Sequence, residues 1–285
     1  IGEGRGEPPQ ERLHVGMADV VPGDGRVVRD ERVVRRHPIP PVHVARAANA
    51  EITVVHCYSL LLKAVIYTTK KGYTEKDAEK WIQKRLTKIR LKNPEQKIDS
   101  KIIQGDVVDS LRRLVEVTHA DLVIMGCQGA GENLETFLGS TSGAIVKTTN
   151  IPVLVVPPRF KFNGLNRVVF AVKNPFVRDQ RTLDPILDIK SIFNPHVQML
   201  HLGEDQPPAL DQTISILQLI NDVTRYGNDN FNESIHEYMS QYHTDLVCVI
   251  RRKRGFLEKT LGPTRTPADK FHTTVPVLIL VGEDY

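Results

Sequence analysis

Between Met125 and Gly143 the sequence reads MGCQGAGENLETFLGSTSG. Two residues separate Gly126 from Gly129, nine more precede Gly139, and Ser140, Thr141 and Ser142 follow at once. The spacing is G-x2-G-x9-G-S, and its residue types suit an anion. Glycine lets the backbone approach a ligand closely and reach positive φ. If Ser140 opens a helix, the free N–H groups and dipole of that first turn favour a phosphate, and the hydroxyls add donors. Glu132 and Glu135 are the only acids inside the stretch. Phosphoryl transfer needs metal ligands and a group that orients the nucleophile, so the chemistry reads as binding, with no catalytic residue to assign. A slow ATPase or phosphotransferase, and an interaction scaffold without ligand, are the competing readings.

Other phosphate loops fit less well. The sequence has no GK[ST] here, which a Walker A loop requires, and Gly126–Gly131 runs GxxGxG, the reverse of the dinucleotide fingerprint. A bare strand-to-helix turn would need fewer glycines.

The elements that must carry this loop are legible around it. Ile52–Ser59 (ITVVHCYS), Lys101–Gln104, Asp121–Met125 (DLVIM) and Ile151–Pro157 (IPVLVVP) read as short strands. Helix formers run from Thr74 to Leu91; Asp106 is placed to cap a helix over Val107–Thr118, and a third helix fits Ser140–Thr148. Strands without polar alternation, separated by helices, predict a parallel sheet covered on both faces. The glycine loop then leaves the carboxyl end of a parallel strand, where open α/β sheets bind ligands.

The pattern occurs twice. His119–Met125 (HADLVIM) matches His243–Val249 (HTDLVCV), and at the same offset Ile151–Leu154 (IPVL) meets Val275–Leu278 (VPVL). Val54–Ser59 resembles Met199–Glu204, and Arg167–Asn174 (RVVFAVKN) reads as the first strand of the second copy. Internal duplication follows, with an atypical segment over 1–50 that leaves room for a poorly matching first strand and helix, a first unit over 51–158, and a second over 166–285. Pro157–Asn166 is the natural linker. In the second copy Gly126 is matched by Ile250, Gly129 by Lys253, and Gly139-Ser140 by Pro263-Thr264. Ile250 and Pro263 remove close approach and a backbone donor, so the second unit is expected to bind poorly. Arg251–Arg254 reads as a solvated basic face.

The first fifty residues differ from the rest. They hold eight Arg, no Lys, six Gly, six Pro, one Leu (Leu13) and no aromatic residue. Pro38, Pro40 and Pro41 disfavour a helix interior, so irregular structure is the expectation.

Bulk composition excludes several classes. The net charge of +4 is too small to argue for nucleic acid. No run approaches the length of a membrane span and no signal-type leader is visible, so a cytoplasmic protein with no membrane partner is expected. Cys57, Cys127 and Cys248 are far apart and lack a CxxC pair, which argues against disulfides and structural zinc. No H-x-x-H or H-E-x-x-H occurs, so no metal ligand is assigned. His56 and His201 read as packed histidines, and His119 and His243 end helices.

The glycine–hydroxyl loop, with DLVIMG before it and IPVLVVP after it, resembles the universal stress protein family. The likeness covers about residues 50–157 well and 166–281 more loosely, as in a tandem member. The resemblance implies two open, Rossmann-like α/β units. Each would have a five-stranded parallel sheet in the order 3-2-1-4-5, with helices on both faces. It implies an ATP or AMP site in the first unit, with Mg²⁺ compatible, and a stress-response regulatory role. It also implies an internal pseudo-dimer through the two last strands, and leaves room for a homodimer. Carried over by position, Gly126, Gly129 and Gly139 would surround the phosphates and ribose. Ser140, Thr141 and Ser142 would donate to phosphate, and Cys57 would contact adenine through its backbone. The candidate for the family's aspartate at the end of the first strand is Asp30, after Arg26–Val28.

Overall fold

A computed structural model describes residues 14–20, 40–58, 74–127, 140–157, 160–173, 177, 179–202, 219–226, 231–252 and 274–282. The first half runs β1 (His14–Val20), α1 (Pro40–Ala47), β2 (Glu51–Tyr58), α2 (Glu75–Lys92), β3 (Ile98–Gln104), α3 (Val107–Thr118), β4 (Leu122–Gly126), α4 (Ser140–Thr148) and β5 (Val153–Val156). The second runs β6 (Arg167–Val172), a 3-10 turn (Gln180–Leu183), α5 (Asp184–Phe193), β7 (His196–Leu202), β8 (Asp222–Tyr226), α6 (Phe231–Gln241), β9 (Leu246–Arg251) and β10 (Val277–Val281).

The strands form one sheet in the order β3-β2-β1-β4-β5-β10-β9-β6-β7-β8. The α/β parallel architecture expected from the sequence is therefore present, with the two sheets fused into one. All neighbours are parallel except at the seam, where β5 and β10 run antiparallel and pair Val155 with Val277, Leu154 with Leu278 and Val153 with Ile279. The seam leaves neither of these short apolar strands with an open edge, the exposure that invites aggregation.

Burial on both sides explains why the strands lack polar alternation. Ile52, Val54 and Ile124 pack with α1, α2 and α5 on one face, while Val55, Val123 and Val155 pack with α3, α4 and α6 on the other. Both apolar layers continue across the seam. The segment between the halves also packs: Phe162 stacks on His43 of α1 at 5.3 Å and meets Phe193 of α5 edge-on at 5.9 Å.

Local signals set the helix starts. Thr74 and Asp77 form a capping box at the head of α2, and the Asp106 carboxylate accepts from the N–H groups of Val108 and Asp109 at the head of α3. α3 ends at His119, in the left-handed region at φ 49.

The first fifty residues depart from expectation. The central strand, between β2 and β4, is supplied by His14–Val20, and Arg26–Val28 lies outside the described residues. Pro40 and Pro41 do not break a helix. They open α1, where proline's fixed φ suits the first turn and its missing N–H has no intrahelical partner to lose.

Candidate functional site

The carboxyl ends of β1, β2 and β4 lie side by side in the sheet, and the chain just past β4 is tied to the first turn of α4. In register, Asp19 lies beside His56 and Val20 beside Cys57. On the other side of β1, Ala18 pairs with Met125. Asp19 and Gly126 therefore follow that pair on adjacent strands, Gly126 ending β4 and Asp19 standing one residue before the end of β1. After Gly126 the Cys127 N–H donates to the Val156 carbonyl at 3.2 Å. The chain re-enters the described residues at Ser140, the first residue of α4.

Gly126 is open in an informative way. A Cβ built there would meet no described atom within 4 Å, and its φ is not positive. Neither packing nor backbone conformation in the described structure demands a glycine. What the absent side chain leaves is space at the strand end that no described atom fills.

The other site residues divide plainly. Ser140 opens α4 and Thr141 is half-buried beside it. Ser142 is buried, and its hydroxyl donates to the Cys127 carbonyl at 3.2 Å. That contact ties the first turn of α4 to the end of β4, so Ser142 holds the edge together where a phosphate donor was expected. Cys57 is buried at the end of β2, and burial pushes its thiol from 9.0 to about 11, partly offset by a hydrogen bond with Ser110. Burial pushes Cys127 to about 11 as well. Both are therefore neutral thiols near neutral pH, and the Cys57 thiol is already engaged with Ser110. Gly129, Gly139 and Asp30 lie outside the described residues, as do Glu132, Glu135, Lys253, Pro263 and Thr264.

Asp19 is the residue that the sequence reading missed. A signal was available: HVGMADV (His14–Val20) aligns with RVVFAVK (Arg167–Lys173), and both strands hold the same place in their halves, Val15 against Leu122 and Val168 against Leu246. That alignment matches Asp19 with Val172.

The second half shows the same edge filled. Ile250 occupies the position of Gly126 and is buried, and a Cβ on Gly282 would lie 2.6 Å from its Cγ2. The histidines pack as the sequence suggested. His56 is fully buried and stacks on Trp81 at 4.5 Å, and the His201 ring bonds the Lys173 carbonyl at 3.1 Å. Among the described residues no group of three or more His, Cys, Asp or Glu could hold a metal.

The model of the Universal stress protein family matches residues 41–157. That stretch is similar to a universal stress protein domain. A universal stress protein from Archaeoglobus fulgidus, 16% identical, superposes with a TM-score of 0.63 over 94% of this chain and 97% of that one. A functionally unknown protein from Pseudomonas aeruginosa, 10% identical, does so with a TM-score of 0.58 over 94% and 92%. At these identities the likenesses concern the fold, and they extend it beyond the matched stretch to nearly the whole chain. No curated protein matches the chain.

Proposed function

We propose that the first half binds one adenine nucleotide, ATP or AMP, and that the chain acts through that binding as a stress-response regulator. The observation that carries this is the space at Gly126 that no described atom fills, at a strand end where a packed side chain would otherwise close the edge. Asp19 stands one residue before the end of the adjacent strand, and α4 begins at Ser140, where first-turn N–H groups, which have no intrahelical acceptor, suit a phosphate. Asp19 replaces Asp30 as the acid at the end of the first strand, where hydrogen bonds to ribose or adenine would be made. Gly129 and Gly139 would complete the phosphate cradle, with Mg²⁺ accompanying ATP.

Binding rather than rapid turnover is the reading, because the sequence beside Glu132 and Glu135 offers no recognisable metal-ligand set and no group to orient a water. The second half is a copy whose edge Ile250 has closed, and the seam between β5 and β10 joins the copies as an internal pair. A cytoplasmic location accords with the described residues, in which no helix is long and apolar enough to cross a membrane.

Mass spectrometry of the natively purified protein tests the reading. ATP or AMP released on denaturation is the expected result. A nucleotide-free protein that also fails to take up either on titration would overturn it.

A further inference from the structure

The solvent face of α2 carries a charge pattern that neither the fold nor nucleotide binding uses. Lys76, Lys80, Lys84, Lys88 and Lys92 recur every four residues, and all five are exposed. Four residues advance a helix by about 6 Å and turn it about 40° past a full turn. The ammonium groups therefore fan across the side opposite Ala78, Ile82, Leu86 and Ile89, which are buried. Acids accompany only the first turns, at Glu75, Asp77 and Glu79; from Lys80 to Lys92 the helix holds six basic residues and no acidic one. The whole chain has a net charge of only +4.

A merely solvated helix face usually sets Glu against Lys at four-residue spacing, and like charges at that spacing destabilise the helix. None of the five lysines belongs to an ion pair among the described residues. In the middle of the fan stands Leu91, 78% exposed, three residues from Lys88 and seven from Lys84.

We propose that this face of α2 docks the protein on an anionic lipid bilayer, with the lysines among the headgroups and Leu91 entering the interface. Clusters of four to eight basic residues on a helix are drawn to anionic leaflets, and long lysine stems let an apolar neighbour sink while the charges stay wet. A nucleic-acid backbone would meet the lysines equally well but offers nothing to Leu91. Stacking on single strands needs exposed aromatic rings, whereas Trp81, the one aromatic residue of α2, is half-buried, with His56 stacked on it and the Arg85 guanidinium 4.2 Å from its ring. The helix keeps its buried face on the sheet throughout, so docking is peripheral, electrostatic and reversible.

Co-sedimentation of the full chain with phosphatidylcholine vesicles, with and without phosphatidylserine, tests this. Binding should require phosphatidylserine and fall steeply with salt. Each Lys→Gln change among Lys80, Lys84, Lys88 and Lys92 should lower partitioning about fivefold, and Leu91→Ser should weaken it without altering the salt dependence. Circular dichroism checks that each variant is folded. The wild-type salt response and Leu91→Ser remain decisive even if a lysine variant fails to fold. Equal sedimentation with both vesicle types, full binding by the folded lysine variant, or capture of oligonucleotides without vesicle binding would overturn the proposal.

Discussion

Arg251 donates to the Thr149 carbonyl at 2.7 Å, joining the last residue of β9 to the chain just beyond α4 in the other half. Its second terminal nitrogen donates to the Lys147 carbonyl at 2.8 Å. The side chain is buried, contrary to the solvated face expected of Arg251–Arg254, because it enters the protein to reach these carbonyls, and burial holds its pKa below the ordinary arginine value. The arrangement satisfies carbonyls that a helix end leaves without intrahelical partners and places a cation where the helix dipole favours it. Arg251→Met should keep the volume and leave those carbonyls unpaired. We expect a loss of about 2 kcal/mol in urea unfolding, set by orphaned polar groups and lessened by removal of a buried charge. An unchanged midpoint would mean that the contact adds nothing to the seam.

Ile250 and Gly282 give a second test, of the closed edge. Gly282→Ala should destabilise the protein by about 1–3 kcal/mol, because its Cβ would fall 2.6 Å from Ile250 Cγ2. In an Ile250→Ala background that atom is gone, so the same change should cost clearly less. A double-mutant cycle by thermal or urea unfolding measures the difference. Equal costs in both backgrounds would show that Ile250 does not fill this space.

The three cysteines make a pH prediction. Burial raises Cys57 and Cys127 from 9.0 to about 11 and raises Cys248 as well. A thiol with a raised folded pKa stays protonated while the unfolded thiol ionises. The unfolded chain then binds fewer protons, and stability falls as pH rises from about 9 towards 11. Below that window the contribution is fully present. The urea midpoint should drop across it, and thiol reagents near neutral pH should react only at the rate of opening. Rapid labelling of any of the three in the folded protein would contradict their burial.

Much of this was legible in the sequence, for identifiable reasons. α3 and α4 occupy the residues that their caps and flanks indicate, because Asp106 and the glycine loop mark their starts. The filled position at Ile250 follows from aligning two copies of one strand. The amino-terminal region was misread because its composition masks its topology. HVGMADV is short and contains a glycine, yet it takes the central place because strands on both sides complete its hydrogen bonding. The prolines at 40 and 41 were read as breakers because propensity gives their cost inside a helix and says nothing of where the helix begins. Ser142 illustrates the limit of residue type alone: a hydroxyl beside a phosphate-type loop can serve the loop's own backbone.

Isothermal titration of the intact chain with ATP and with AMP tests the central claim most directly. The expected result is one site per chain for at least one of the two nucleotides. Gly126→Val should abolish it without loss of thermal stability, since the added side chain enters space that no described atom fills. A stoichiometry near two, no binding of either nucleotide, or unchanged affinity in folded Gly126→Val would contradict it.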